Sequence, residues 1–166
     1  PGSRENERRR HLPPMRDAAR LLPEYRPIVS GACEGLDSYA GPARDLLVGS
    51  DIAVSKTGTV SLEAGLLGVP TVAIYRMAPM TYWIARALVR TPYAAMPNLL
   101  LGRSLLPDLI QGEATPKRIA SALRAALGRT EEFRAGAGEI RRILSGPVAS
   151  VRAAEILLET LDEARR

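Results

Sequence analysis

The stretch from Ile52 to Ile74 constrains the fold more than any other part of the chain. Ile52-Ala53-Val54 is a short, uninterrupted apolar run, the pattern of a strand buried on both faces, and it gives way to the small polar turn Ser55-Lys56-Thr57-Gly58-Thr59. Val60 to Leu67 then reads as a helix, Gly68 stops it, and Thr71 to Ile74 supplies a second apolar strand. A strand, a helix and a strand in close succession make a βαβ unit, whose strands run parallel and need helices over both faces. The chain is therefore read as α/β, with a Rossmann-like parallel sheet flanked by helices.

The flanking segments fit that frame. Upstream, Pro13-Pro14 is read as the first turn of a helix carrying Met15, Ala18, Ala19 and Leu22 at i, i+3, i+4 and i+7. Arg26 to Ser30 reads as a brief strand, Gly31 to Gly41 as a loop, and Pro42 to Val48 as a two-turn helix. Downstream, Pro79 to Val89 looks helical, while Pro92, Pro97, Gly102 and Pro107 cut the next stretch into turns and single helical turns. Thr115-Pro116 opens a helix with Ile119, Leu123, Ala126 and Leu127 on one face. Phe133, Ala137, Ile140 and Leu144 mark another helix, and beyond Gly146-Pro147 a last one is expected to turn Val148, Val151, Ala154, Leu158 and Leu161 inward. The C-terminal third thus reads as all helical. At 166 residues the chain suits one domain, divided as a Rossmann-like unit over 1–128 and a helical extension over 129–166 that packs on it.

Composition narrows the chemistry. One cysteine, Cys33, and one histidine, His11, exclude a disulfide framework and a Cys/His zinc site, and point to an intracellular protein. Neither uncharged twelve-residue stretch, Ala64 to Tyr75 or Thr91 to Gly102, approaches the roughly 18 residues needed to cross a bilayer. The net charge of +5 is almost entirely guanidinium, because Lys56 and Lys117 are the only lysines. Arginine suits planar recognition of phosphate and carboxylate. The seven aromatic residues are not interleaved with the arginines, a poor stacking platform, so no nucleic acid is expected as a partner. No Asp-x-Asp pair occurs among the six aspartates, so no metal-bridged diphosphate and no cofactor is expected.

In an open parallel sheet, ligands sit beyond the carboxyl ends of strands, against helix N-termini that favour anions. Two turns qualify. Gly2-Ser3-Arg4 offers a glycine for close backbone approach, a hydroxyl and a cation, and Lys56-Thr57-Gly58-Thr59 offers two hydroxyls, a glycine and a cation before the next helix. Together they would cradle a diphosphate; singly, each also reads as an ordinary cap. Glu63, four residues beyond Thr59, is placed to accept from ribose hydroxyls or to complement the helix dipole. Asn98, after Pro97, reads as a site residue or an N-cap. His11 is expected on the solvated start of a helix, and Cys33 as a small loop or core residue. Tyr82, Trp83, Ile84 and Leu88 beside Arg86 and Arg90 read as core or as an amphipathic surface that touches lipid.

These blocks converge on a family. Pro1-Gly2-Ser3-Arg4, Arg9-Arg10-His11-Leu12-Pro13-Pro14-Met15, Thr57-Gly58-Thr59-Val60-Ser61-Leu62-Glu63, Gly68-Val69-Pro70, Tyr75-Arg76, Thr81-Tyr82-Trp83-Ile84-Ala85, Pro97-Asn98-Leu99-Leu100 and Leu109-Ile110-Gln111 resemble, in order, the C-terminal half of the lipid-A-disaccharide synthases. The resemblance implies the nucleotide-binding half of a GT-B inverting glycosyltransferase. Such an enzyme joins UDP-2,3-diacylglucosamine to 2,3-diacylglucosamine 1-phosphate at the cytoplasmic face of the inner membrane, as a peripheral protein on an anionic surface.

By position, the resemblance implies that Gly2, Ser3 and Arg4 meet the UDP diphosphate and that Thr57, Gly58 and Thr59 form the phosphate loop. Glu63 would meet the ribose, and Asn98 and Gln111 would line the cleft near the transferred sugar; Arg4 and Asn98 are the catalytic candidates. Lys56 stands where the family usually has alanine, and the segment from Ser30 to Asp45 is shorter than the family pattern. The acceptor-binding N-terminal half and the strand feeding Gly2 are expected to be missing, leaving UDP binding without turnover, and the C-terminal helices are a candidate homodimer surface. Two rivals remain: a GT-B transferase with another lipid or peptidoglycan acceptor, and a non-catalytic basic interaction module.

Overall fold

A computed structural model describes residues 1–146 and 149–164. In chain order the elements are α1 (Glu5–Ala19), β1 (Ile28–Ser30), β2 (Asp37–Tyr39), α2 (Ala43–Val48), β3 (Ala53–Lys56), α3 (Thr59–Leu67), β4 (Thr71–Tyr75), α4 (Pro79–Leu88), α5 (Met96–Leu101), β5 (Asp108–Ile110), a 3-10 turn at Gln111–Glu113, α6 (Pro116–Leu127), α7 (Thr130–Leu144) and α8 (Ala149–Ala164). All strand pairings are parallel, in two pieces: β1 with β2, and β3-β4-β5, with Val54 opposite Val72 and Ile74 opposite Leu109.

The βαβ unit forms as its sequence requires. Gly68 closes α3 in the left-handed conformation at φ 72°, which costs glycine little. The central strand β4 is buried on both faces. On one face Val72 and Ile74 meet Met15, Leu22, Ile119 and Leu123 of the α1–α6 layer. On the other, α3, α5 and α7 gather Leu105, Leu106, Phe133 and Ile140. Close approach there depends on Gly65, where an added Cβ would lie 2.8 Å from Pro97 Cγ.

Several expectations need correction. The first helix starts at Glu5, and Pro13 and Pro14 lie inside it. The prolines remove the donors for the Arg9 and Arg10 carbonyls, but tertiary anchors on the preceding turns, described below, hold the helix through that break. The Gly31–Gly41 loop contains β2, and the proline-rich stretch after Pro92 holds α5 and leads into β5. No residue of α4 is buried, so its apolar stripe is surface and not core. The face of α8 expected inward is exposed at Val151, Ala154, Leu158 and Leu161, while Val148 lies outside the described residues. Among the described residues no helix is long and apolar enough to cross a membrane.

Candidate functional site

The first turns of α1 lie across the carboxyl ends of three strands, and named bonds fix them there. The Lys56 ammonium, at the end of β3, donates to Glu7 Oε1 at 2.8 Å. The Arg8 guanidinium donates to Ser30 O at 3.2 Å, at the end of β1, and also to Ala32 O. His11 is buried; its Nε2 accepts from the Arg76 amide at 2.8 Å just past β4, and its Nδ1 donates to Glu7 O at 2.7 Å. That pattern specifies a neutral imidazole, and burial, with Lys56 nearby, lowers its pKa from the ordinary value. His11 is therefore a structural bracket stacked on Tyr75 and not a residue of a solvated helix start.

This arrangement brings the two predicted turns to one cleft. A cavity of about 810 Å³ is lined at its carboxyl-edge mouth by Gly2 and Ser3 on one side and by Lys56, Thr57, Gly58 and Thr59 on the other. Its size falls within the ordinary range of ligand pockets. Gly58 has φ 150° and ψ −158°, a conformation essentially confined to glycine, with open space where a side chain would stand. The first bonds inside α3 run from the Ser61 and Leu62 amides to Gly58 O, so the Thr59 and Val60 amides stand in the turn ahead of them.

The remaining predicted residues are elsewhere. Arg4 sits at the start of α1, 80% exposed, with its guanidinium 3.5 Å from Glu7 Oε1 and outside the cleft lining. Glu63 is half-buried on α3, outside the lining. Asn98 is fully buried inside α5, whose N-cap is Ala95, so it is not an N-cap. It donates to Leu106 O (2.7 Å) and Asp108 Oδ2 (3.1 Å) and accepts from the Leu105 and Leu106 amides (2.8 and 2.9 Å). Gln111, at φ 52°, clamps the Met77 backbone through both side-chain ends and borders a second hollow with Arg9, Arg10 and Arg76. Cys33 lies in the loop between β1 and β2 and is partly exposed.

Sequence reasoning missed Glu7. The Lys56 hydrogen bond holds its carboxyl down to about 2, and the pair neutralises the cation that faces the mouth. Because the partners lie 49 residues apart, no local pattern marks the pair.

The sequence model of the lipid-A-disaccharide synthetase family matches residues 35–146. The chain belongs to that family. It is 37% identical to the lipid-A-disaccharide synthase of Myxococcus xanthus, over 99% of this chain and 49% of that protein. It is 35% identical to that of Anaeromyxobacter dehalogenans strain 2CP-1, over 95% of this chain and 47% of the relative. A synthase of Klebsiella pneumoniae is 44% identical over 61% of the chain. The chain spans about half the length of the Myxococcus and Anaeromyxobacter synthases.

Proposed function

We propose that this chain is the donor-binding half of a lipid-A-disaccharide synthase, holding UDP-2,3-diacylglucosamine while the sugar passes to 2,3-diacylglucosamine 1-phosphate. The supporting observation is the convergence of Gly2-Ser3 and Lys56-Thr57-Gly58-Thr59 on one mouth. In this reading the bond from the anomeric carbon to the β-phosphate oxygen breaks, the acceptor hydroxyl oxygen takes its place, and the electron pair leaves with UDP. The α3 amides face the growing charge on that leaving group and lower the barrier without reorganising, beside a Lys56 whose charge Glu7 offsets. Arg4, exposed beside Glu7 at the start of α1, adds a further cation, and a base on the other half of the enzyme removes the acceptor proton.

The exposed Met80, Trp83, Ile84 and Leu88 of α4 and Val89 just after it, beside Arg86 and Arg90, support contact with an anionic inner-membrane surface on the cytoplasmic side. The exposed apolar residues of α8 support its use as a homodimer surface.

Calorimetry with UDP tests the reading. Saturable binding that weakens about tenfold in Arg4→Ala, the loss of one charged contact, is expected. Indifference to UDP in both proteins would return the chain to the interaction-module alternative.

A further inference from the structure

The second hollow, of about 500 Å³, opens on the same edge of the sheet as the mouth, and the two linings share no residue. Arg76 directly follows β4 and Gln111 directly follows β5, while α1 contributes Arg9, Arg10, Pro13 and Pro14. Among the described residues three arginines and no carboxylate line it. Glu5 pairs with Arg9 and Glu113 with Arg118, and among the described residues Arg10 and Arg76 have no carboxylate partner. The hollow therefore keeps a surplus of about two positive charges, which matches a phosphate monoester at neutral pH. Arg76 is built into the fold: its amide donates to His11 Nε2 and its guanidinium to Ala114 O, both at 2.8 Å. Its Nε is nevertheless buried with no hydrogen-bond partner among the described residues, and a buried donor left over in this way calls for an acceptor.

The hollow also offers acceptors. Pro13 and Pro14 withhold the α-helical donors from the Arg9 and Arg10 carbonyls, and all four residues line it. Ala78 and Pro79, the N-cap and first residue of α4, complete the wall, so the positive end of that helix adds to the field. We propose that this hollow is a site for a sugar phosphate, separate from the UDP mouth. The monoester lies against Arg10, Arg76 and the start of α4, and the sugar hydroxyls donate to the Arg9 and Arg10 carbonyls. The contrast with the mouth supports the division: there Glu7 neutralises the cation and backbone amides remain, whereas here the guanidinium charge is uncompensated. That the sugar phosphate is the acceptor, 2,3-diacylglucosamine 1-phosphate, rests on the donor-binding reading; the site itself does not.

Titration with N-acetylglucosamine 1-phosphate, followed by NMR at the Arg76 Nε–H and at the Met77, Ala78 and Gly112 amides, tests the site. Saturable shifts at these groups are expected. They weaken about tenfold in Arg10→Gln, where an exposed side chain loses its charge, and stay unchanged in Arg142→Gln, an equal change of charge on α7. Inorganic phosphate, which lacks the hydroxyls that meet the two carbonyls, binds about tenfold more weakly than the sugar phosphate. No shifts in the hollow, equal weakening by both substitutions, or equal affinity for inorganic phosphate overturns the proposal. UDP, read separately at Gly58 and Thr59, tests the donor-binding reading, so the two fail independently.

Discussion

Replacing Glu7 by glutamine separates two roles that the structure assigns to one carboxylate. Lys56 Nζ lies 2.8 Å from Glu7 Oε1, and the side chains are only 23% and 20% exposed. Holding a carboxyl at about 2 instead of 4.5 is worth at most roughly 3 kcal/mol, at about 1.4 kcal/mol per tenfold change in proton affinity. Water in the open mouth screens this to about 1 to 2 kcal/mol. A depressed carboxyl stabilises the fold above its ordinary pKa and loses that contribution as pH falls from about 4.5 towards 2. Glu7→Gln is therefore destabilised by about 1 to 2 kcal/mol at neutral pH and lacks that acid-induced step. The same change frees the Lys56 charge, so UDP binds about three- to tenfold more tightly, a gain on the order of 1 kcal/mol from one cation near phosphate. Urea unfolding across pH and calorimetry with UDP read both effects. Weaker UDP binding in Glu7→Gln, or a loss of stability between pH 4.5 and 2 as large as that of the wild type, would contradict the double role of Glu7.

Other consequences follow from single residues. Asn98→Ala leaves the buried Leu105 and Leu106 amides without partners and the Leu106 carbonyl with only the long Ser104 hydroxyl bond, and costs about 3 to 5 kcal/mol in urea unfolding, so its effect appears as lost stability before any change in UDP affinity. Gly58→Ala forces a side chain into a glycine-only conformation; it lowers stability by about 1 to 3 kcal/mol and weakens UDP binding in the same titration. His11→Leu breaks the link between Glu7 O and the Arg76 amide. Because burial lowers the His11 pKa, the wild-type fold loses stability as pH drops below about 6.5, a slope that unfolding curves of the variant lack. Gly65→Ala drives a Cβ to 2.8 Å from Pro97 Cγ, costing about 1 to 3 kcal/mol by overpacking, measurable as a lower Tm.

The parts of the fold legible in sequence are those specified locally. The β3–α3–β4 unit announces itself through an apolar run and the stop at Gly68, and Thr115 does cap α6 by accepting from the Arg118 amide. By contrast β2, Asp37-Ser38-Tyr39, is too short and polar to carry a period, and exists because β1 pairs with it. The start of α1 was hidden because Pro13-Pro14 is a local stop, overridden by contacts from Glu7, Arg8 and His11 to residues 22 to 65 positions away. The site divides the same way. The two glycine turns were visible, while the pairing of Lys56 with Glu7 and the burial of Asn98 depend on packing. Arg4, read as the diphosphate cation, stands exposed beside Glu7 and outside the cleft lining.

Mapping UDP onto the backbone amides by NMR titration addresses the mouth directly. Saturable shifts concentrated at Gly2, Ser3, Thr57, Gly58, Thr59 and Val60 are expected. Shifts that are absent, or that gather instead around Arg9, Arg10 and Arg76, would contradict the donor-binding reading.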